Sequence, residues 1–554
     1  MRAEAYCWVS WRTRGGTVQH WNFADVFEQV AIAQPDAVSI RQGDRVVTYG
    51  ELLARVDALG VSLRDHGATD QDKVGIYLYN SPEYMEATMA SLYASLVPVN
   101  TNYRYGDDEL AYLWDNADCT TIVFHGTFAG RLETLRARCE RVTTWIHVDD
   151  GTEPCPAWAV PFESLAVPRS ARTAFERSGD DLILLYTGGT TGMPKGVMWP
   201  QDDLFRRLNP GGVRRYDLGA PLRAIAELVA TEGIAATILP ACPLMHGTGL
   251  FSSIECLAEG GTLVLLASRR FSGGELLDTI EATQTNVAVI VGDPFARPML
   301  EALRERGDGT SIASLNGIIS SGAMFSEEVK EGLLEFNAGM LLVDAFSSSE
   351  ALGMGNSVVG ASTRRATAEF TLGDDVRVIA EDGSDVVPGS DVAGRLALGG
   401  RLPLGYYKDD EKTAATFLVL DGTRYSVPGD WAKVHADGTI QLLGRGSQCI
   451  NTAGEKVFPE EVEEALKTHA SVRDACVLGV PDERWGEVVM AVVEPRPATS
   501  PDEAELIAHV KDRLAGYKAP RRVRVVDTIG RTPAGKMDYA RHRSEMAAWL
   551  AANA

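Results

Sequence analysis

The eleven residues Tyr186 to Gly196, YTGGTTGMPKG, combine the groups that hold phosphate oxygens. Gly188, Gly189 and Gly192 let the backbone turn sharply and aim N–H groups inward, Thr187, Thr190 and Thr191 add hydroxyl donors, and Lys195 adds a positive charge. A polyphosphate needs many donors at close range with no bulky side chain in the way. An isolated glycine pair reads as a surface turn, but all these types in one stretch point to a phosphate cradle. It is not a Walker loop, because Lys195 lies between Pro194 and Gly196 instead of preceding Ser or Thr. Further along, Ala345-Phe346-Ser347-Ser348-Ser349-Glu350 follows the apolar run Met340 to Val343, which places it at the end of a strand, where open α/β sheets bind ligands. Glu350 is a hard oxygen donor suited to Mg²⁺.

Read as it stands, YTGGTTGMPKG resembles the phosphate loop of the adenylate-forming enzymes, the superfamily of acyl-CoA synthetases, luciferases and peptide-synthetase adenylation domains. The order of the remaining motifs agrees with that resemblance. Ala345 to Glu350 is similar to the stretch that sets an aromatic ring (Phe346) on adenine, a hydroxyl (Ser349) on phosphate and a carboxylate (Glu350) on Mg²⁺; Ser347 stands where the family has glycine. Ser321-Gly322-Ala323 resembles the adenine-side loop. Tyr425 to Asp430 resembles the motif whose aspartate accepts from the ribose hydroxyls, with Pro428 in place of threonine. Gly444 to Pro459 is similar to the junction between a large and a small domain: Arg445 would join Asp430 at the ribose, and the hinge position holds Gln448 where most relatives carry aspartate or lysine. Arg531-Thr532-Pro533-Ala534-Gly535-Lys536 resembles the catalytic-lysine motif. A mobile ammonium delivered there suits the negative charge that develops when a carboxylate attacks an α-phosphate.

The resemblance implies an ATP-dependent acyl-CoA synthetase that forms an acyl-adenylate and passes the acyl group to coenzyme A, with Mg²⁺ as cofactor. The implied catalytic set is Lys536, Glu350 and His246. ATP is expected on Thr187, Gly188, Gly189, Thr190, Thr191, Gly192, Lys195, Gly322, Ala323, Ala345, Phe346, Ser347, Ser348, Ser349, Asp430, Arg445 and Lys536. Mg²⁺ falls to Thr187 and Glu350, and coenzyme A to Gly454 and Lys456. Pro243 to Gly249 resembles the border of the acyl pocket in CoA-forming members; the implied wall includes His246, Gly247, Phe251, Phe295, Met324, Leu352 and Gly353, largely apolar or small, so a hydrophobic carboxylic acid is expected. The wording is most similar to actinobacterial ligases for fatty acids and steroid side-chain acids. Aryl or phenylpropenoic acids, and an acceptor other than CoA, are the alternatives. Thr237 to Ser253 contains no Asp to hold a substrate ammonium, which disfavours amino acids.

The elements that must carry these residues read as α/β. From Asn22 to Val148 helical stretches (Ala24 to Ala33, Tyr49 to Arg64, Ser81 to Leu96) alternate with apolar strands (Lys73 to Tyr77, Thr120 to Phe124), which implies a parallel sheet covered on both faces. Leu182 to Leu185 is a buried strand feeding the phosphate loop. Gly151 to Pro168 reads as loop, and Gln201 to Gly233 has no clear pattern. A second alternating block holds strands Thr262 to Leu266, Val287 to Val291 and Gly317 to Ser320, and beyond Arg377 short strands and turns suggest a β-rich subdomain. A helix at Pro459 to His469, strands at Asp474 to Gly479 and Val488 to Val493 and a helix at Asp502 to Ala515 form a compact α+β module. The expected division is an extension at 1–20, a large domain at 21–443 and a small mobile domain at 444–554.

At 554 residues the chain is too long for one core, and its 45% hydrophobic share is ordinary. A formal charge of -23 argues against nucleic acid or an anionic membrane as partner. The eight cysteines contain no CxxC pair, which suits reduced thiols in a cytoplasm. No apolar stretch of signal-peptide or membrane-spanning length is present, so no integral membrane association is expected. A homodimer is left open.

Overall fold

The computed structural model describes residues 20–188, 193–361, 367–452, 455–482, 486–531 and 537–552. Three sheets organise them. The first has seven strands in the order Val160–Pro161, Thr144–Val148, Cys119–His125, Lys73–Tyr77, Val97–Asn100, Leu182–Thr187, Lys195–Pro200. All its pairings are parallel except the last, which is a hairpin. Val97–Asn100 and Thr144–Val148 are buried along their whole length, as strands covered by helices on both faces must be.

The second sheet has fifteen strands. Its parallel half runs through Leu341–Ser348, Gly317–Ser320, Val287–Ile290, Thr237–Pro240, Thr262–Leu265 and Val38–Gln42. At Leu341–Ser348 the chain turns back antiparallel as Ala351–Val359, and hydrogen bonding continues through Glu369–Leu372, Ile440–Arg445, Asp430–Val434 and Ala393–Leu398. The β-rich stretch beyond Arg377 is therefore joined edge to edge to the α/β sheet. The third sheet has five strands, with Val472–Asp482 against Gly486–Pro495 at its centre. Along Ala475–Leu478 the side chains alternate between two cores. Ala475 and Val477 pack with Val462, Leu466, Leu506 and Val510 on one face, and Cys476 and Leu478 with Val488, Ile529 and Met546 on the other.

Most expected elements are present, with differences that have local causes. Gln201 to Gly233 contains two helices, Gln201–Leu208 and Ala224–Glu232. The first hides its period because two polar residues, Gln201 and Asp202, are buried with Leu204 and Phe205: Gln201 Oε1 accepts from Phe23 N, and Asp202 Oδ1 from Trp21 N. Gly151 to Pro168 is loop interrupted by a two-residue strand and the single turn Phe162–Leu165. The phosphate stretch leads into another strand, and Lys195 and Gly196 already belong to it. Among the described residues no helix is long and apolar enough to cross a membrane.

Candidate active site

The phosphate strand Leu182–Thr187 ends beside its own return strand, with Thr187 opposite Lys195 and Tyr186 opposite Gly196. A β-carbon on Gly196 would stand 2.6 Å from the Tyr186 ring, so a side chain there would drive the two strands apart. Buried Asn100 clamps the strand end: its Oδ1 accepts from Tyr186 N at 2.6 Å, and its Nδ2 donates to Tyr186 O at 2.9 Å and Met245 O at 2.6 Å. One amide thus ties the phosphate strand to the loop that carries His246. Gly188 follows, with the Tyr105 hydroxyl 3.4 Å from its β-carbon position. Gly189, Thr190, Thr191 and Gly192 lie outside the described residues. Burial pulls the Lys195 ammonium below its usual range, Lys412 adds to the fall, and Glu350 opposes it.

The stretch Ala345 to Glu350 closes a strand, as expected, and that strand turns back on itself. Ala345, Phe346, Ser347 and Ser348 are the last strand residues, and Ser349 and Glu350 make the turn of the hairpin. Phe346 is half-buried, with Phe370 at 5.5 Å between ring centroids. The Ser347 hydroxyl accepts from Gly353 N at 2.9 Å and closes the turn, a role glycine could not fill. Trp199, on the phosphate hairpin, donates its indole N–H to Ser349 O at 3.0 Å and holds the two hairpins together. Glu350 Oε1 accepts from the Tyr406 hydroxyl at 2.7 Å, and the Tyr406 ring lies 5.1 Å from Lys195 Nζ.

Asp430 and Arg445 face each other in the register of adjacent strands, and their side chains meet at 3.4 Å. Asp430 is 5% exposed; burial raises its pKa, Arg445 opposes the rise, and Glu350 adds to it. Its Oδ2 and the Ser348 hydroxyl are buried polar atoms without a hydrogen-bond partner among the described residues. That is the state expected of acceptors whose partners arrive on a ligand. Lys195, Tyr406, Asp430 and Arg445 all titrate under the field of Glu350, so the five groups form one electrostatic neighbourhood.

Behind Arg445, Gly444 has φ +106° and its α-carbon is covered by the Glu460 carboxyl from the first turn of helix Pro459–Lys467. Burial, then the Glu463 charge, push Glu460 up to about 8 from an ordinary 4.5. With the folded value above the unfolded one, the protein takes up a proton on folding between those limits. The stabilisation from neutral Glu460 is complete below pH 4.5 and is lost as the pH rises through about 8. Thermal melts should show the midpoint falling from pH 7 to pH 9, and the fall should be shallower, by roughly a few degrees, in Glu460→Gln. Equal slopes would place the Glu460 proton outside the folding equilibrium.

On the acyl side, His246 occupies the N-cap position of helix Gly247–Glu259 without a side-chain capping bond. Gly247 backs onto Leu185, 3.0 Å from its β-carbon position, with the Phe251 ring next. Gly322 faces Val291 and Thr248, and Ala323 follows it. Leu352 and Gly353 start the strand after Glu350. Phe295 packs on Phe271 at 4.7 Å, and Met324 Sδ lies 3.2 Å from Lys467 Nζ of the third-sheet module. A cleft of about 250 Å³ separates Asp293, Ala323 and Met324 from Lys467, Thr528 and Arg531. Arg531 is anchored by two bonds to Asp474, 2.7 and 2.9 Å. Lys536 and Gly454 lie outside the described residues, and of Lys456 only the strand backbone is described.

No cluster of three His, Cys, Asp or Glu that could hold a metal occurs among the described residues. A single carboxylate such as Glu350 suits Mg²⁺, which keeps several waters and shares its sphere with substrate phosphates. Sequence reasoning missed Asn100, Trp199 and Tyr406. Each acts through a contact between segments about 56 to 210 residues apart, for which no local signal exists.

Residues 27–407 match the family described as AMP-binding enzyme, and residues 461–536 that described as AMP-binding enzyme C-terminal domain. A medium/long-chain-fatty-acid–CoA/3-oxocholest-4-en-26-oate–CoA ligase of Mycobacterium marinum is 39% identical over 528 residues, covering 94% of this chain and 95% of its own. A 3-oxocholest-4-en-26-oate–CoA ligase of Rhodococcus rhodochrous is likewise 39% identical, with 94% of each chain covered. Among solved structures, an anthranilate CoA ligase in complex with anthranoyl-AMP shares the fold at TM-score 0.80 and 20% identity, covering 97% of this chain and 98% of its own.

Proposed function

The chain belongs to the AMP-binding enzyme family, and from that premise we propose that it is an ATP-dependent ligase joining a hydrophobic carboxylic acid, a medium- or long-chain fatty acid or a steroid side-chain acid, to coenzyme A. The observation that carries this reading is the 39% identity to fatty-acid and steroid-acid ligases along 94% of the chain. The convergence of Glu350, Tyr406, Lys195, Asp430 and Arg445 supports the nucleotide half of it.

In this reading the triphosphate lies against Thr187, Gly188, the following loop and Lys195, and adenine lies between Phe346 and the Gly322–Ala323 turn. The ribose hydroxyls donate to Asp430, whose free Oδ2 awaits them, with Arg445 holding its other oxygen. Mg²⁺, held by Glu350 and the Thr187 hydroxyl, supplies neutralisation of the phosphate charge. The acid lies along Gly247, Phe251 and Gly322, with His246 at the head of its helix. Its carboxylate attacks the α-phosphorus, pyrophosphate leaves, and Lys536 stabilises the charge that spreads over the equatorial oxygens. The CoA thiol then attacks the acyl carbonyl and AMP leaves, with Gly454 and Lys456 on the thiol's side.

The test is a screen of purified protein with ATP, Mg²⁺, CoA and a panel of fatty, steroid side-chain and aryl acids, reading AMP and thioester together. Both products should appear in equal amounts with fatty or steroid acids and far less with aryl acids. AMP without thioester would overturn CoA as the acceptor, and preference for aryl acids would overturn the substrate class.

A further inference from the structure

Two opposite charges in this site stand within each other's field, yet no ion pair joins Lys195 to Glu350 among the described residues. One side chain lies at both. We propose that Tyr406 is a positioning residue that holds the Glu350 carboxylate and the Lys195 ammonium apart, each turned toward its own part of the bound nucleotide. The inference rests on the reading that Glu350 faces Mg²⁺ and Lys195 faces phosphate.

The geometry is built from the backbone outward. Leu404 N donates to Met198 O at 2.8 Å, Met198 N to Gly405 O at 2.9 Å and Tyr407 N to Gly196 O at 2.8 Å, so residues 404–407 run zipped to the strand that begins at Lys195. Tyr406 is thereby fixed relative to Lys195 by the same strand that carries the lysine. Its own N–H donates to Thr413 Oγ1 at 2.9 Å, and its ring packs edge-on against Phe417 at 6.1 Å, which leaves it 5% exposed.

The two ends of this side chain do different chemistry. The hydroxyl donates to Glu350 Oε1 at 2.7 Å, occupying one carboxylate oxygen and leaving Oε2 available to a cation. The ring faces the Lys195 ammonium at 5.1 Å, an attraction that holds the charge without neutralising it as a carboxylate would. Without the ring between them, the lysine and glutamate would compete for each other and both would be withdrawn from the ligand. The loop Leu404 to Lys408 carries no charged group at 406 that could replace this arrangement, and Lys408 itself pairs with Asp118.

The experiment measures ATP binding by calorimetry with and without Mg²⁺ in five proteins: the unmutated chain, Tyr406→Phe, Tyr406→Leu, Glu350→Gln and the Tyr406→Phe/Glu350→Gln double variant. Tyr406→Phe keeps the ring and loses the hydroxyl. It should raise the Mg²⁺ concentration that half-saturates tight ATP binding about tenfold, the scale of one lost charge-assisted hydrogen bond, while Mg²⁺-free ATP affinity changes less than about twofold. Tyr406→Leu should weaken both, because Lys195 is then free to pair with Glu350. Adding Tyr406→Phe to Glu350→Gln should shift the Mg²⁺ requirement no further. A Tyr406→Phe protein with an unchanged Mg²⁺ requirement, in a background where Glu350→Gln does change it, would overturn the positioning role alone. No change in Glu350→Gln would overturn the metal reading beneath it. Thermal melts of Tyr406→Phe should match the unmutated chain, and a Tyr406→Leu protein that fails to fold leaves the phenylalanine arm decisive.

Discussion

Glu350→Gln should lower the rate of adenylate formation by roughly two to three orders of magnitude at saturating acid and ATP, the scale of one preorganised electrostatic contact removed from a water-poor site. Glutamine preserves the shape and offers a carbonyl oxygen that can still accept from Tyr406, so the hairpin turn and its tie to Trp199 survive. What changes is the charge, and an amide N–H₂ turned toward a cation repels it. Binding of the carboxylic acid should change little, because the proposed acyl wall uses other side chains. Acid-dependent pyrophosphate exchange, measured across a Mg²⁺ series, reads this directly. Normal exchange at low Mg²⁺ would make Glu350 a structural residue.

Lys536→Ala should separate the two half-reactions. The lysine follows Arg531 by five residues, and Arg531 is pinned to Asp474 beside the cleft that faces Ala323 and Met324. A chain of that length spans at most about 17 Å, so the pinned arginine confines where the ammonium can reach. In the proposed reaction its charge would answer the negative charge of attack on the α-phosphate, and pyrophosphate exchange should fall by roughly two to three orders of magnitude or more. Thioester formation from chemically prepared acyl-adenylate and CoA needs no new phosphoryl charge stabilised by this residue and should stay near the unmutated rate. Equal loss in both steps would assign Lys536 to holding the third-sheet module in place.

Asp430 and Arg445 could be paired from the sequence because each sits in its own motif, and the structure adds that they are register partners on neighbouring strands. Before residue 150 the helices near Ala24, Tyr49 and Ser81 and the strands Lys73–Tyr77 and Cys119–His125 were legible as amphipathic stretches and apolar runs, whereas the short strands Val38–Gln42, Arg45–Thr48, Val97–Asn100 and Thr144–Val148 and helix Asp107–Asn116 were not. Where Gln201 and Asp202 go inside to satisfy Phe23 and Trp21, the helical period vanishes from the text, since burial there follows hydrogen bonding instead of hydropathy. The strand end before Ser349 was legible, but its return, Ala351–Val359, was not, because it is rich in small residues and lacks the apolar run that announced Met340 to Val343. Tyr406 was invisible. Its meaning depends on residues 404–407 lying along 196–198, and pairing across about 210 positions leaves no local trace.

The fifteen-stranded sheet carries Glu350, Asp430 and Arg445, while Thr187 and Lys195 stand on the seven-stranded one. In the proposed reading a nucleotide held at all five is a strap between two sheets that share no ladder among the described residues. The Trp199–Ser349 and Tyr406–Glu350 hydrogen bonds already couple the two ligand edges, and a bound nucleotide would add to that coupling. At ATP a hundredfold above its dissociation constant, that strap is worth about 2.7 kcal/mol against unfolding. In the proposed reading, resistance of this protein to heat and to proteases rises with the ATP concentration.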